Sequence, residues 1–425
     1  MEPIFTLITA SITLIFLLCS CVVAKRTSKQ QASVKPSTER SSSGSRESNR
    51  SKKQLNSRKR SIPPLELSFE ASYEFALSLL KSASETGNFV ISPFSFGAAL
   101  AIVHDGAKDE TQEELSKLLG KTLSPSDVSS LYSSLTTALS GKNSAVITSV
   151  ANRIYLNEEF SLKSEYQSHI EKMYNASAKN INFEDGDTCA KDANSFVNET
   201  TCGMIPEVAT ADDFTDSVAV LINAVYFKGE WKIPFHKNLT KTKPFHGIKG
   251  DRDEQFMHAS SRPSRYYLND DVTVLSLDYK DSAFSLLVMM PSTDFGEWRT
   301  NLTAMQIHES MENLTAGKIN LDLPKWKIES STNGKEALEK CGVTKIFDKT
   351  ADLSGISNDD IVISSIVHKA VIEVNEEGTE AAAATKVRIV KKFALSTPPV
   401  NLKFDRSFLY LLIREKHILF IGEFC

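Results

Sequence analysis

The spacing of apolar positions changes character along this chain. In "ELSFEASYEFALSLLKSA", Phe69, Tyr73, Phe75, Ala76, Leu79 and Leu80 fall at helical spacing, which predicts a helix with one buried face. "DETQEELSKLLG", after Gly106, is helix-like as well. Further on, "SVAVLINAVYFKGEWKIPF", "VTVLSLDYKDSAFSLLVMMPS" and "KINLDLPKWKIES" read as strands. "NLKFDRSFLYLLIREKHILFIGEF" reads as a strand pair around a turn at Glu415-Lys416-His417. From Leu65 onward helices dominate first and strands later, the order expected of an α+β fold. Nothing repeats, and no low-complexity linker cuts this part, which predicts one folded domain over residues 63–425.

One stretch carries two patterns at once. In "VNEEGTEAAAATKVRIVKKFALSTPP", Glu380 to Ala384 suit a helix. Yet Thr379, Ala381, Ala383, Thr385, Val387 and Ile389 form an uncharged alternate set, with Glu380, Lys386 and Arg388 between them. A period of two marks a strand with one buried face. The segment is built to be capable of a strand without a strong local reason to be one.

Composition and charge add a second region. The chain of 425 residues is 41% hydrophobic and 24% charged, as expected of a soluble protein. Its net charge of -4 hides an asymmetry, because residues 25–60 hold 12 basic and 2 acidic side chains and so are attached to an acidic body. Residues 25–62 are rich in Ser, Lys and Arg and nearly devoid of large apolar residues, so they are expected to stay disordered. Such an arm suits a polyanion of the heparin-like glycosaminoglycan kind, a basic processing site at Arg58-Lys59-Arg60, or a solvated tether.

The first residues, uncharged from Pro3 to Ala24, read as a secretory signal peptide over 1–24. The alternative is a membrane anchor over residues 3–24, since the apolar run is long and Lys25-Arg26 follow it. Sequons at Asn49, Asn175, Asn198, Asn238, Asn301 and Asn313 fit export and glycosylation. Without the leader, Cys189, Cys202, Cys341 and Cys425 remain and allow three full pairings.

Catalytic chemistry finds little support. There is no GxSxG elbow, HExxH, P-loop or GxGxxG, and the eight histidines lack metal-ligand spacing. His368 could act as a base with Ser92 or Ser95 as nucleophile, but it lies in an apolar strand pattern, where a hydrogen-bonded core histidine is commoner. The expectation is a protein that is not an enzyme, with no metal, no required cofactor and no nucleic-acid partner.

Four motif blocks then converge. "NFVISPFSFGAALAIVHDGAKDETQEEL", "LINAVYFKGEWKIPF", "GVTKIFDKTADLSGIS" and "VHKAVIEVNEEGTEAAAAT" occur in that order with characteristic spacing. On these residues the chain resembles the serpin family across essentially all of 65–425. The resemblance implies the serpin fold, with a helix-rich N-terminal half, three β-sheets and an exposed reactive-centre loop at about 376–399. It implies a serine protease inhibitor whose loop, once cut, inserts as a strand into the large sheet and drags the covalently attached protease along.

It also assigns residues. The hinge is Glu377, Gly378, Thr379, Glu380, Ala381, Ala382, Ala383, Ala384 and Thr385. Gly378 supplies freedom at the pivot, and the uncharged set enters the core while Glu380, Lys386 and Arg388 stay solvated on the other face. Counting along the hinge places the reactive bond at Lys392–Phe393, so the expected partner is a trypsin-like serine protease. Cuts after Lys391, Arg388 or Phe393 are the alternatives.

The shutter maps to Ser92, Ser95, Asn223 and His368, and the breach to Trp231. Ser407 stands where the family carries proline. The stretch matching the family's basic helix holds a single lysine, so a polyanion would bind the arm at 25–60. Cys189 and Cys202 fall at opposite ends of one helix, about 20 Å apart and beyond disulfide reach. A secreted monomer is expected. A non-inhibitory serpin acting as carrier or chaperone, or a matrix protein working through the arm, are the competing functions.

Overall fold

A computed structural model describes residues 69–83, 87–121, 123–139, 145–377 and 398–425. The helices are α1 (Phe69–Ala83), α2 (Pro93–Gly106), α3 (Asp109–Gly120), α4 (Pro125–Leu139), α5 (Ser164–Tyr174), α6 (Gly186–Thr200), α7 (Phe295–Asn301), α8 (Ala304–Glu312) and α9 (Gly334–Lys340). The first strands are β1 (Phe89–Ile91), β2 (Val146–Asn157), β3 (Ser177–Ile181), β4 (Ala219–Gly229), β5 (Lys241–Gly247), β6 (Gly250–Leu268) and β7 (Val272–Asp278). Then come β8 (Phe284–Pro291), β9 (Thr315–Pro324), β10 (Trp326–Asn333), β11 (Ile363–Val374), β12 (Val400–Lys403), β13 (Phe408–Arg414) and β14 (His417–Phe424).

The helix-first, strand-later order read from the periodicity is the observed one. The helix expected from "ELSFEASYEFALSLLKSA" is α1, and the pair expected around Glu415-Lys416-His417 is β13 and β14, with Glu415 at φ 56° in the turn.

Five strands form one sheet in the order β10-β11-β4-β2-β3. The others form a larger sheet with two arms, because the register of β6 against β9 breaks between Ala259 and Arg262, where Ser261 has φ 49°. Bulges of this kind bend a strand. One arm continues through β7, β8, β13, β14 and β1, and the other holds β5 and β12. The three expected sheets are thus present, two of them sharing β6 and β9.

Burial follows each strand's place. β4 is buried along nearly its whole length, and so reads as a continuous apolar run. One face of the five-stranded sheet packs in the main core beside α2, and the other packs on a separate cluster around α6. β10 sits at the sheet edge and alternates buried and exposed residue by residue. α2 is buried nearly all round, which matches its apolar run from Phe96 to Val103. Ser92 caps it, its hydroxyl accepting the Ser95 N–H.

The motif blocks meet in space. The Gly355 N–H donates to the Gly106 carbonyl at 2.9 Å, and a Cβ on Gly355 would lie 2.6 Å from that oxygen. Gly355 is therefore required by this backbone contact, while a Cβ on Gly106 would run into the Ile356 side chain.

Candidate functional site

The site is the seam between β11 and β4, with the turn that leaves β11. These two strands lie side by side and parallel, pairing His368 with Asn223 and Ile372 with Phe227. Their outer neighbours β10 and β2 pair with them antiparallel. A chain that turned back after Val374 would run antiparallel to both β11 and β4, the pairing of slightly greater stability.

The root of that turn is anchored. The Trp231 indole N–H donates to the Asn375 carbonyl at 2.7 Å, and its backbone N–H to the Glu377 carbonyl at 3.3 Å. The Trp231 ring stacks on Tyr279 with centroids 4.3 Å apart. The Phe235 N–H holds the Glu376 carbonyl at 2.8 Å. Glu376 itself is 5% exposed and accepts from the Thr240 hydroxyl at 2.7 Å and the Lys325 ammonium at 3.4 Å. Burial would raise its carboxyl, but those donors outweigh burial and hold it below the usual range. Lys237 pairs with Glu377 at 2.7 Å. The breach assignment of Trp231 thus falls on direct contacts with the hinge root.

Deeper in the seam lies a polar rung. Register places Thr332, His368, Asn223 and Asn152 side by side across β10, β11, β4 and β2. The His368 Nε2 accepts the Ser92 backbone N–H at 3.3 Å, so Nδ1 carries the proton and donates to Asn223 Oδ1. The Asn223 amide donates to Ser95 Oγ at 2.7 Å, to the Ser95 carbonyl at 3.2 Å and to Asn152 Oδ1. The Ser92 hydroxyl donates to the Leu419 carbonyl at 2.6 Å. All these residues are buried, and Phe96 packs edge-on against the imidazole at 5.2 Å. The structure brings together all four predicted shutter residues. Asn152 was missed, although it is a polar residue inside the otherwise strand-like "SVANRIYLN".

Burial drives the His368 pKa down to about 3. An unfolded histidine titrates near ~6.5. Between those values the unfolded chain binds the extra proton, so the full contribution holds above ~6.5 and declines as pH falls toward 3. The wild type is expected to lose about 2 kcal/mol more than His368→Gln between pH 7 and pH 5, at ~1.4 kcal/mol per pH unit. Urea midpoints at the two pH values measure this, and equal losses in both proteins would refute the assignment.

The outer face of the described sheet carries α6 and the segment after it. Val367 and Val371 of β11 pack there with Val197, Ile205 and Val208, and Lys369 donates to the Glu207 carbonyl at 2.6 Å. Periodicity distinguishes the two faces of a strand, but not what packs on each.

The other predicted residues are scattered over the fold. Asn175, Asn198, Asn238, Asn301 and Asn313 are all exposed. Cys189, Cys202, Cys341 and Cys425 are free thiols, and Cys189 donates to the Asn182 carbonyl at 3.0 Å. Cys189 lies in α6 and Cys202 just past its end, as expected. The Ser407 hydroxyl accepts the Ile248 N–H at 3.2 Å, an interaction a proline side chain could not make. Residues 1–62, Gly378 to Thr385, Lys391, Lys392, Phe393 and Asn49 lie outside the described residues. Among the described residues no helix is long and apolar enough to cross a membrane, and no acidic, His or Cys group could hold a metal.

Comparison with known proteins adds the following. The family model described as Serpin (serine protease inhibitor) matches residues 70–425. Leukocyte elastase inhibitor of Homo sapiens is 35% identical over 374 residues, covering 83% of this chain and 98% of that protein. The thermophilic serpin tengpin, solved in its native state, is similar with a TM-score of 0.76 and 26% identity, over 84% of this chain and 93% of that one. Serpin48 of the insect Tenebrio molitor is similar with a TM-score of 0.74 and 30% identity, over 84% of this chain and 96% of that one.

Proposed function

The chain belongs to the serpin family, a family of protease inhibitors rather than enzymes, and from that premise we propose that it is a secreted trap for a trypsin-like serine protease. The protease cuts at Lys392–Phe393, stays attached through its acyl bond, and is carried off as the freed loop enters the β11–β4 seam. The observation that carries this reading is the match between the seam and the loop sequence. Even-numbered residues of β11, from Ile366 to Val374, face the main core. A turn over 375–378 sets Thr379 opposite Val374, and Thr385 opposite His368. The uncharged set Thr379, Ala381, Ala383, Thr385, Val387 and Ile389 then faces that core. From Thr379 to Lys392 the extended chain spans about 45 Å at ~3.3 Å per residue.

Entry parts Asn223 from His368, so the polar rung acts as the latch on the seam, and α6 must give way on the outer face. Lysine at the cut suits an acidic specificity pocket. The similarity to an elastase inhibitor makes elastase the natural competitor in a test. Secretion and glycosylation are supported by the leader-like start and the exposed sequon asparagines, and polyanion binding by the basic arm at 25–60.

Incubation with trypsin-, chymotrypsin-, elastase- and furin-like proteases tests the specificity. The expected result is a boiling-stable covalent complex with the trypsin-like enzyme and a released peptide starting at Phe393 by mass. A complex formed only with elastase or chymotrypsin would refute the specificity while leaving the trapping mechanism.

A further inference from the structure

Where β6 bends, a cation is buried without an ion-pair partner among the described residues. A cavity of about 440 Å³ lies there between the bulge, the end of β7, the start of β9 and the segment after β4. Arg262 lines it and is 5% exposed. Its Nε and Nη1 are buried and have no hydrogen-bond partner among the described residues. Ser264 Oγ, two residues on in the same wall, is likewise buried and unpartnered among them.

Neighbouring groups do not satisfy the guanidinium. The Phe235 ring lies 4.4 Å from it, a cation–π contact that accepts none of those N–H groups. Asp278, the acid whose field reaches Arg262, is already paired with Lys232 at 3.1 Å and Arg265 at 3.2 Å. Burial pulls the Arg262 guanidinium down to about 10, which leaves it charged at neutral pH. A buried charge lacking a counter-ion is costly, and buried donors call for acceptors. Ile233, Pro263, Leu277 and Ala316 supply apolar wall.

We propose that this cavity binds a small organic anion, whose carboxylate or sulfonate head meets the Arg262 guanidinium and the Ser264 hydroxyl while an apolar body lies against Ile233, Pro263 and Leu277. The cavity is of ordinary ligand-site size. The cavity adjoins the root of the hinge, since Phe235 also holds the Glu376 carbonyl, but binding there does not depend on protease trapping.

Fluorescence titration of the full chain with 8-anilinonaphthalene-1-sulfonate tests it, beside N-phenyl-1-naphthylamine, which has the same rings without the sulfonate. The sulfonate is expected to bind saturably at one site, with Arg262→Met weakening it at least tenfold and leaving the neutral analogue within twofold. Ligand-free Arg262→Met is expected to melt higher than the wild type, because it deletes the unpaired charge and keeps the apolar stem. Absence of saturable sulfonate binding, or equal sulfonate affinity in both proteins, overturns the proposal. Should Arg262→Met fail to fold, Ser264→Leu fills the cavity with Arg262 in place, and retained sulfonate binding in that variant overturns it equally. Inorganic phosphate competing as well as the sulfonate dye would remove the role of the apolar body.

Discussion

Thr379→Arg is expected to convert the protein from a trap into a substrate. In the inserted strand Thr379 comes opposite Val374, whose side chain is buried in the main core. An arginine there must bring its guanidinium into the mouth of the seam, at a cost of several kcal/mol for an unpaired charge. A penalty of about 3 kcal/mol on the insertion barrier slows that step by about a hundredfold. Attack of water on the acyl bond is not slowed, so hydrolysis overtakes trapping. The moles of inhibitor consumed per mole of protease should rise at least tenfold, and the boiling-stable complex should fade from gels in favour of cleaved chain. Glu380→Gln changes charge on the opposite face and should stay near the wild type. Full inhibition by Thr379→Arg would show that residue 379 does not enter the sheet.

The second large effect is thermal. Cutting the loop at Lys392 should raise the melting temperature by about 10 °C or more. An inserted strand of about ten residues gains hydrogen bonds to β11 on one side and β4 on the other, each worth about 1 kcal/mol net. It also fills the seam with small side chains facing an already apolar core. A gain on the order of 10 kcal/mol shifts a protein of this size by about 1.3 °C per kcal/mol. Calorimetry of intact and clipped protein measures it. An unchanged melt would exclude insertion and favour a carrier or storage role.

Much of the site was legible because its residues belong to short patterns. "NFVISPFSF" brought Ser92 and Ser95, "LINAVYFKG" brought Asn223, and "VHKAVIEV" brought His368, all four of which share one buried network. Asn152 escaped because a single polar residue in a strand does not announce its partner. The anchoring of Glu376 by Thr240 and Lys325 escaped for a similar reason, since the three residues come from separate segments. Arg262 was unreadable: in sequence it is one of two arginines in "SSRPSRYY", and only the bulge turns it inward. Coverage of the sheet's outer face by α6 was not legible either, because periodicity is a property of one strand and coverage a property of the fold.

The sequence by itself determined which elements form, which face of each is apolar, and that one segment near the end alternates in a way suited to a core. Those are short-range matters, governed by neighbours two to four residues apart. Tertiary structure alone decided that Thr332, His368, Asn223 and Asn152 share one rung, that β11 and β4 adjoin in parallel, and that the Arg262 Nε and Nη1 are buried without a hydrogen-bond partner among the described residues. Such facts depend on register and bends between strands distant along the chain, fixed by the simultaneous packing of the whole core rather than by any local preference.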